Sequence, residues 1–177
     1  MKHFILILAA LFLMTGCQKS SQPQQGVPNK ERQEAAKKYF AQSILMLQNK
    51  DLKGAVQSLE ASIKTDPSDP NPYLMLGQIL INAGQYEQGV IFLDQTAKKF
   101  PDNASVFYML SLCNRMSGKI LPAVLTARRS FEIFKASGDI DNAKTSAILL
   151  QELIKEAQEQ EQGSTEKTLK TVGSKQK

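Results

Sequence analysis

Residues 70–101 read PNPYLMLGQILINAGQYEQGVIFLDQTAKKFP. Tyr73, Leu76 and Leu80 recur at three- and four-residue spacing, the period of one face of a helix and not the two-residue alternation of a strand. The pattern stops at Asn82-Ala83-Gly84 and resumes through Tyr86, Gly89 and Leu93 to Phe100-Pro101. Proline sets the start of a helix and glycine its end, so Pro70, Pro72, Gly84 and Pro101 punctuate a helix, a tight turn and a second helix.

The same grammar extends to both sides. Tyr39-Phe40-Ile44-Leu47 and Leu52-Val56-Leu59-Ile63 carry the helical period upstream, with a break at Asn49-Lys50-Asp51; downstream breaks fall at Ser117-Gly118-Lys119 and Ser137-Gly138-Asp139. Tyr39, Tyr73 and Phe107 are evenly spaced, and the same interval separates Ala55, Gly89 and Ala123, the pair Gly84 and Gly118, and the pair Pro67 and Pro101. Three copies of one unit therefore fit residues 36–69, 70–103 and 104–137.

In the middle copy Tyr73-x-x-Leu76-Gly77-x-x-Leu80, then Gly84-x-Tyr86-x-x-Gly89, Leu93 and Pro101, resembles the tetratricopeptide repeat. The resemblance implies an all-α, right-handed α-solenoid of about three helix-turn-helix repeats, closed by a C-terminal capping helix. Small residues at Ala55, Gly89 and Ala123 let paired helices approach, and the aromatics Tyr39, Tyr73 and Phe107 fill the space between repeats. The first copy departs from the pattern at Gln42-Ser43, and the third at Ser111, Asn114 and Lys135. Without a proline at 135, the second helix of copy three is expected to run on to about Ala136. The turn Gly138-x-Ile140-x-x-Ala143 opens a cap helix over 140–160 with Ala147, Leu150 and Ile154 on one face, completing a tetratricopeptide domain over residues 30–160. Residues 161–177 are polar and read as a disordered tail.

The start of the chain reads differently. Lys2 precedes an unbroken apolar run at residues 4–14, then Thr15, Gly16 and Cys17. This is the layout of a secretory signal over residues 1–16. Eleven apolar residues make about 16 Å of helix, whereas a bilayer span takes about 20 residues, so a permanent transmembrane segment is not expected. Leu13-Met14-Thr15-Gly16-Cys17 resembles the lipobox of bacterial lipoproteins, which implies lipidation of Cys17 by diacylglycerol and a further acyl chain such as palmitate. Gln18, in place of the aspartate associated with retention, points to the outer membrane, facing the periplasm. Residues 17–29, rich in Ser, Gln and Pro, read as the lipidated cysteine and a flexible tether spanning about 20 Å.

The residues that carry chemistry are sparse. His3 is the only histidine and leaves with the signal, which removes histidine nucleophile systems and histidine metal sites from the mature chain. No phosphate-cradling glycine motif occurs, so no metal, cofactor, nucleotide or small-molecule substrate is expected, and the chain is read as a non-enzyme. A net charge of +5 is mild, and much of the surplus sits in the tail as Lys167, Lys170, Lys175 and Lys177, where it reads as solvation and not as a phosphate-binding groove, so no nucleic-acid partner is expected. Asp66 and Asp69 lie in a turn and read as caps, as does Asn103 of the sequon-like Asn103-Ala104-Ser105. Cys113 reads as a small buried apolar residue.

A surface remains. The resemblance implies a concave groove lined by the first helix of each repeat: Phe40, Ile44 and Leu47, then Leu74, Gln78 and Ile81, then Tyr108, Leu112, Arg115 and Met116. Ile44, Gln78 and Leu112 stand where the family's carboxylate-clamping lysine and asparagine would be, which disfavours capture of a terminal carboxylate. These side chains either receive a guest or pack inside the array; the sequence leaves both open. The expected role is a membrane-anchored scaffold of the bacterial cell envelope that binds an envelope protein, as a peptide or helix, in the groove. The alternatives are a cell-wall hydrolase working with carboxylates alone and a purely structural, self-associating envelope protein.

Overall fold

The computed structural model describes residues 29–174, whose regular structure is all helical with no strand among them. The signal segment, Cys17 and the tether up to residue 28 lie outside the described residues. Among the described residues seven helices follow one another: α1 (Asn29–Gln48), α2 (Leu52–Thr65), α3 (Asn71–Asn82), α4 (Tyr86–Lys99), α5 (Ala104–Met116), α6 (Ile120–Ala136) and α7 (Ile140–Ser174). They stack as three helical hairpins, α1/α2, α3/α4 and α5/α6, with α7 against α6.

The ends of the helices follow from local chemistry. Asp51, Asn103 and Asp139 cap α2, α5 and α7 by accepting the amide protons of Gly54, Val106 and Asn142 at 2.9, 3.2 and 3.2 Å. At the other ends, four turns share one pair of bonds. The amides of Asp51, Gln85, Lys119 and Asp139 return to the carbonyls five residues back, and those of Lys50, Gly84, Gly118 and Gly138 to the carbonyls three back. This closure needs a left-handed residue at its second-last position. Gly84, Gly118 and Gly138 supply it at φ of 69°, 72° and 77°, while the first copy uses Lys50 at 61°.

The periodic small residues have the expected purpose. Ala55 and Ala123 are fully buried, and a Cβ on Gly89 would come within 2.7 Å of the Cys113 sulfur. Two of the departures from the repeat pattern are explained by size. Ser43 and Ser111 stand one repeat to either side of Gly77, are fully buried, and donate their hydroxyls to the carbonyls of Phe40 and Tyr108 in their own helices. A serine thus fits a glycine's space without an unpaired polar group. Ser62 and Ser130, also in register, reach between helices to the carbonyls of Ala36 and Ala104 at 2.8 and 2.9 Å.

Two apolar clusters hold the stack. Leu93, Val106, Met109, Leu110 and Cys113 join the second repeat to the third, and Ala123, Ala127, Leu149 and Leu153 join α6 to α7. Full burial of Leu93 or Leu153 stabilises by about 2 kcal/mol each. Of the three repeating aromatics, Tyr73 stacks on Phe92 at 6.2 Å and meets Phe100 edge-on at 5.2 Å. Phe107 packs against the first cluster under the Arg129 guanidinium. No repeat precedes Tyr39 among the described residues, and it is 41% exposed.

The two ends of the domain differ from their sequence reading in three ways. Asn29, read as the last residue of the tether, already belongs to α1. The cap helix does not stop at 160, and the tail read as disordered over 161–177 is helical as far as Ser174. Once a helix is nucleated by packing, each further residue adds one hydrogen bond at low cost, and the Gln, Glu and Lys content of this stretch favours propagation. The buried stripe of α7 is Ala143, Ser146, Leu149 and Leu153, whereas Ala147, Leu150 and Ile154 are only half-buried on an adjacent face.

Candidate partner-binding face

The helices α1, α3 and α5 open the three repeats and present one face of the array. On α1, Phe40 and Leu47 are half-buried and Ile44 is 36% exposed, with an exposed pair, Lys37 and Glu34, bridged at 3.4 Å one to three turns before them. On α3, Leu74 and Ile81 lean on the first core cluster, and Gln78 is exposed and donates to the Asn82 carboxamide at 2.8 Å. This side of the face offers apolar contact with amide hydrogen-bonding groups beside it.

The α5 side is different. Tyr108 and Leu112 pack against the cluster that contains Leu149 and Leu153 of α7, so they serve the core as well as the surface. Arg115 reaches Glu152 at 3.0 Å and makes a short ion pair with Glu156, both on α7. The hydrogen bond to Glu156 is the main reason its guanidinium is held above the usual range, against an opposing effect of burial. Met116, at the end of α5, is 55% exposed. Of the ten residues read from the sequence, Ile44, Gln78 and Met116 are exposed and Phe40 and Leu47 half-buried, while Leu74 and Ile81 on α3 and Tyr108, Leu112 and Arg115 on α5 are partly engaged by the protein itself, the α5 set through α7.

Glu152 and Glu156 carry no signal in the sequence. They lie 37 and 41 residues from Arg115, and their meeting depends on how α7 is placed against α5, which no local pattern encodes. The remaining polar features serve structure. Asp66 accepts from the amide and hydroxyl of Ser68, which hold its carboxyl below the usual range, and Asp69 accepts the backbone and carboxamide protons of Asn71, while Pro70 stands at the cap of α3. Burial pushes the Cys113 thiol up to about 11. Among the described residues, no three His, Cys, Asp or Glu side chains are grouped so as to hold a metal ion, and no helix is long and apolar enough to cross a membrane.

Stacked helical hairpins recurring at one fixed interval, with an apolar face on their first helices, define a tetratricopeptide-type solenoid. The tetratricopeptide repeat family matches residues 46–113, from the end of α1 to Cys113. Solved structures share the fold at low identity. PcrH from Pseudomonas aeruginosa is 16% identical with a TM-score of 0.63, covering 73% of this chain and 96% of that one. SycD from Yersinia enterocolitica, in complex with a peptide of the translocator YopD, is 14% identical with a TM-score of 0.62, covering 70% of this chain and 95% of that one. The N-terminal domain of stress-induced protein-1 from C. elegans is 17% identical with a TM-score of 0.57, covering 67% and 96%. No curated protein matches the sequence.

Proposed function

We propose that this chain is a lipid-anchored scaffold of a bacterial cell envelope that holds a partner polypeptide, as an extended peptide or amphipathic helix, against the concave face of its repeats and catalyses no reaction. The observation that carries the reading is the apolar surface of α1, with Ile44 exposed beside the half-buried Phe40 and Leu47, and Gln78 exposed on α3 next to it. Apolar surface left facing solvent beside amide groups suits a peptide with apolar anchors. The similarity to SycD, whose structure holds a translocator peptide, supports a polypeptide ligand for this fold. Support for the anchor comes from Leu13-Met14-Thr15-Gly16-Cys17, and for an outer-membrane destination from Gln18.

The ligand chemistry follows from the charges. Lys37 and Arg115 already have acidic partners within the protein, so an acidic peptide gains little from them. The expected guest is apolar and close to neutral over the segment that lies on α1 and α3, with binding that changes little with salt. A photo-crosslinking amino acid at Ile44 in intact cells is expected to give one discrete protein adduct, while the same group at Ile91 on α4, 64% exposed but outside this face, gives none. Equal yields from the two positions, or adducts only with lipid, would count against a groove. The anchor is tested separately: Cys17→Ser should leave the chain unlipidated, with loss of membrane sedimentation.

A further inference from the structure

The outward side of the second helices changes along the array. On α2 an exposed stripe at helical spacing runs Lys53, Gln57, Glu60, Lys64, and at the same positions of α4 it runs Glu87, Ile91, Asp94, Lys98. On α6 it runs Leu121, Leu125, Arg128, Glu132. Leu121 thus stands where the earlier repeats carry a lysine and a glutamate, and Arg128 where both carry an acid. Leu121 is 70% exposed and Leu125 67%. Leu121 also walls an open cleft of about 570 Å³ with Val124 and, from α7, Ile154 and Ala157, so the apolar surface continues from the outside of α6 into the gap beside it. The charges beside the two leucines are cationic. The side chains of Lys119, at the cap of α6, and Arg128 are exposed and make no ion pair among the described residues. Arg129 is held by Asp102, and Lys135 lies over the Phe131 ring. Glu132, one turn past Arg128, and Glu87 on α4 are the unpaired acids. On α7, Glu152 and Glu156 turn to Arg115, Lys155 and Lys144 are bridged to Glu159 and Asp141, and Glu161 at the cleft is engaged within the chain.

We infer that this outer stripe of α6 rests on an anionic membrane surface, with Leu121 and Leu125 entering the interface and Lys119 and Arg128 meeting lipid phosphates. The inference rests on the lipid anchor proposed above, which decides the occupant. From Cys17 to α1 the chain has twelve residues, which reach at most about 40 Å. A domain held that close meets the bilayer at an effective concentration on the order of millimolar, so two apolar side chains and two cations suffice for contact. Exposed leucines flanked by unpaired cations match a surface that is apolar beneath and anionic at its face. A neutral apolar protein partner would leave Lys119 and Arg128 without counter-charge. The contact uses the second helix of its repeat and leaves the α1 and α3 face free for a guest.

Fluorescence of the lipidated full chain on vesicles tests this, using phosphatidylcholine with or without phosphatidylglycerol. A fluorophore is attached at Leu125→Cys or, as the reference, at Gln57→Cys, the same position on α2; Cys113 is buried and Cys17 carries the lipid, so only the new thiol is labelled. Quenching by nitroxide-bearing lipids reads contact. With phosphatidylglycerol present, quenching at 125 is expected to exceed that at 57 by about threefold or more, and to fall on phosphatidylcholine alone or in high salt. Arg128→Glu should lower the ratio of docked to undocked domain about tenfold, and Leu121→Asp by a similar factor, with unchanged melting temperatures showing that the fold is intact. A chain that sediments with the vesicles but is quenched equally at 57 and 125 would overturn the inference and leave the anchor standing. So would quenching at 125 that ignores phosphatidylglycerol and Arg128, or a label at 125 already shielded before vesicles are added, which would mean that a protein covers the stripe. A chain that sediments with neither vesicle would overturn the anchor and this contact together.

Discussion

The two ends of the concave face are built from equivalent positions and do different work. At the α5 end, Leu112 occupies the place that Gln78 holds on α3 and Ile44 on α1, yet it packs against a cluster completed by α7, and Arg115 beside it is bound to two glutamates of that helix. At the α1 end no described helix covers Ile44 in this way, and it is 36% exposed. Sequence position within a repeat therefore sets which way a side chain faces, and the neighbouring helix sets whether it is core or surface. Among the described residues the array has one covered end, against α7, and one open end at α1.

The contrast can be broken most strongly from the covered side. Leu153→Ala removes a fully buried side chain that joins α7 to α6, and should destabilise by about 3 kcal/mol in urea unfolding. Gly89→Ala, pressing a methyl group onto the Cys113 sulfur, should cost about 2 kcal/mol. Arg115→Met keeps most of the side chain's packing but frees Glu152 and Glu156. Because these carboxylates are partly exposed, the loss should be only about 1 kcal/mol, and the difference from the parent should shrink at high salt.

Changes at the open end should be smaller or of opposite sign. Lys50→Gly, which relieves a left-handed lysine where the next two repeats use glycine, should stabilise by about 1 kcal/mol, read as a higher melting temperature. Ile44→Ser should change stability by less than about 0.5 kcal/mol, since its site is partly exposed, while abolishing partner crosslinking from Leu74. That separation of stability from capture is what distinguishes a binding residue from a core residue.

The repeat is legible because its signals are local and recur. Tyr73 and Gly84 mark a helix and its end, and the same kinds of mark one repeat away fix the register, an aromatic on either side and a glycine downstream. Ser43 and Ser111 look like defects because the pattern asks for glycine; the space asks only for a small side chain whose hydroxyl can bond within its own helix. The helical arm beyond residue 160 leaves no mark in the sequence because it has no apolar period, and it is carried by propagation from the packed part of α7. The buried stripe of α7 reads about one position out of place because Leu149, Leu150, Leu153 and Ile154 offer two adjoining apolar faces, and only contact with α6 selects Leu149 and Leu153. The ten candidate groove residues are legible from position in the repeat, but the covering of Tyr108, Leu112 and Arg115 depends on where α7 lies.

Thiol labelling measures that division directly. In a Cys17→Ser chain the remaining thiol, Cys113, is fully buried and raised to about 11, so it stays silent while the protein is folded. Single cysteines are then placed at Ile44 and at Leu112. The account predicts that the cysteine at position 44 reacts within about tenfold of a free thiol, that the one at 112 reacts at least tenfold more slowly still, and that Arg115→Met narrows the gap by loosening α7. Equal rates at the two positions would contradict a concave face with one covered end and one open one.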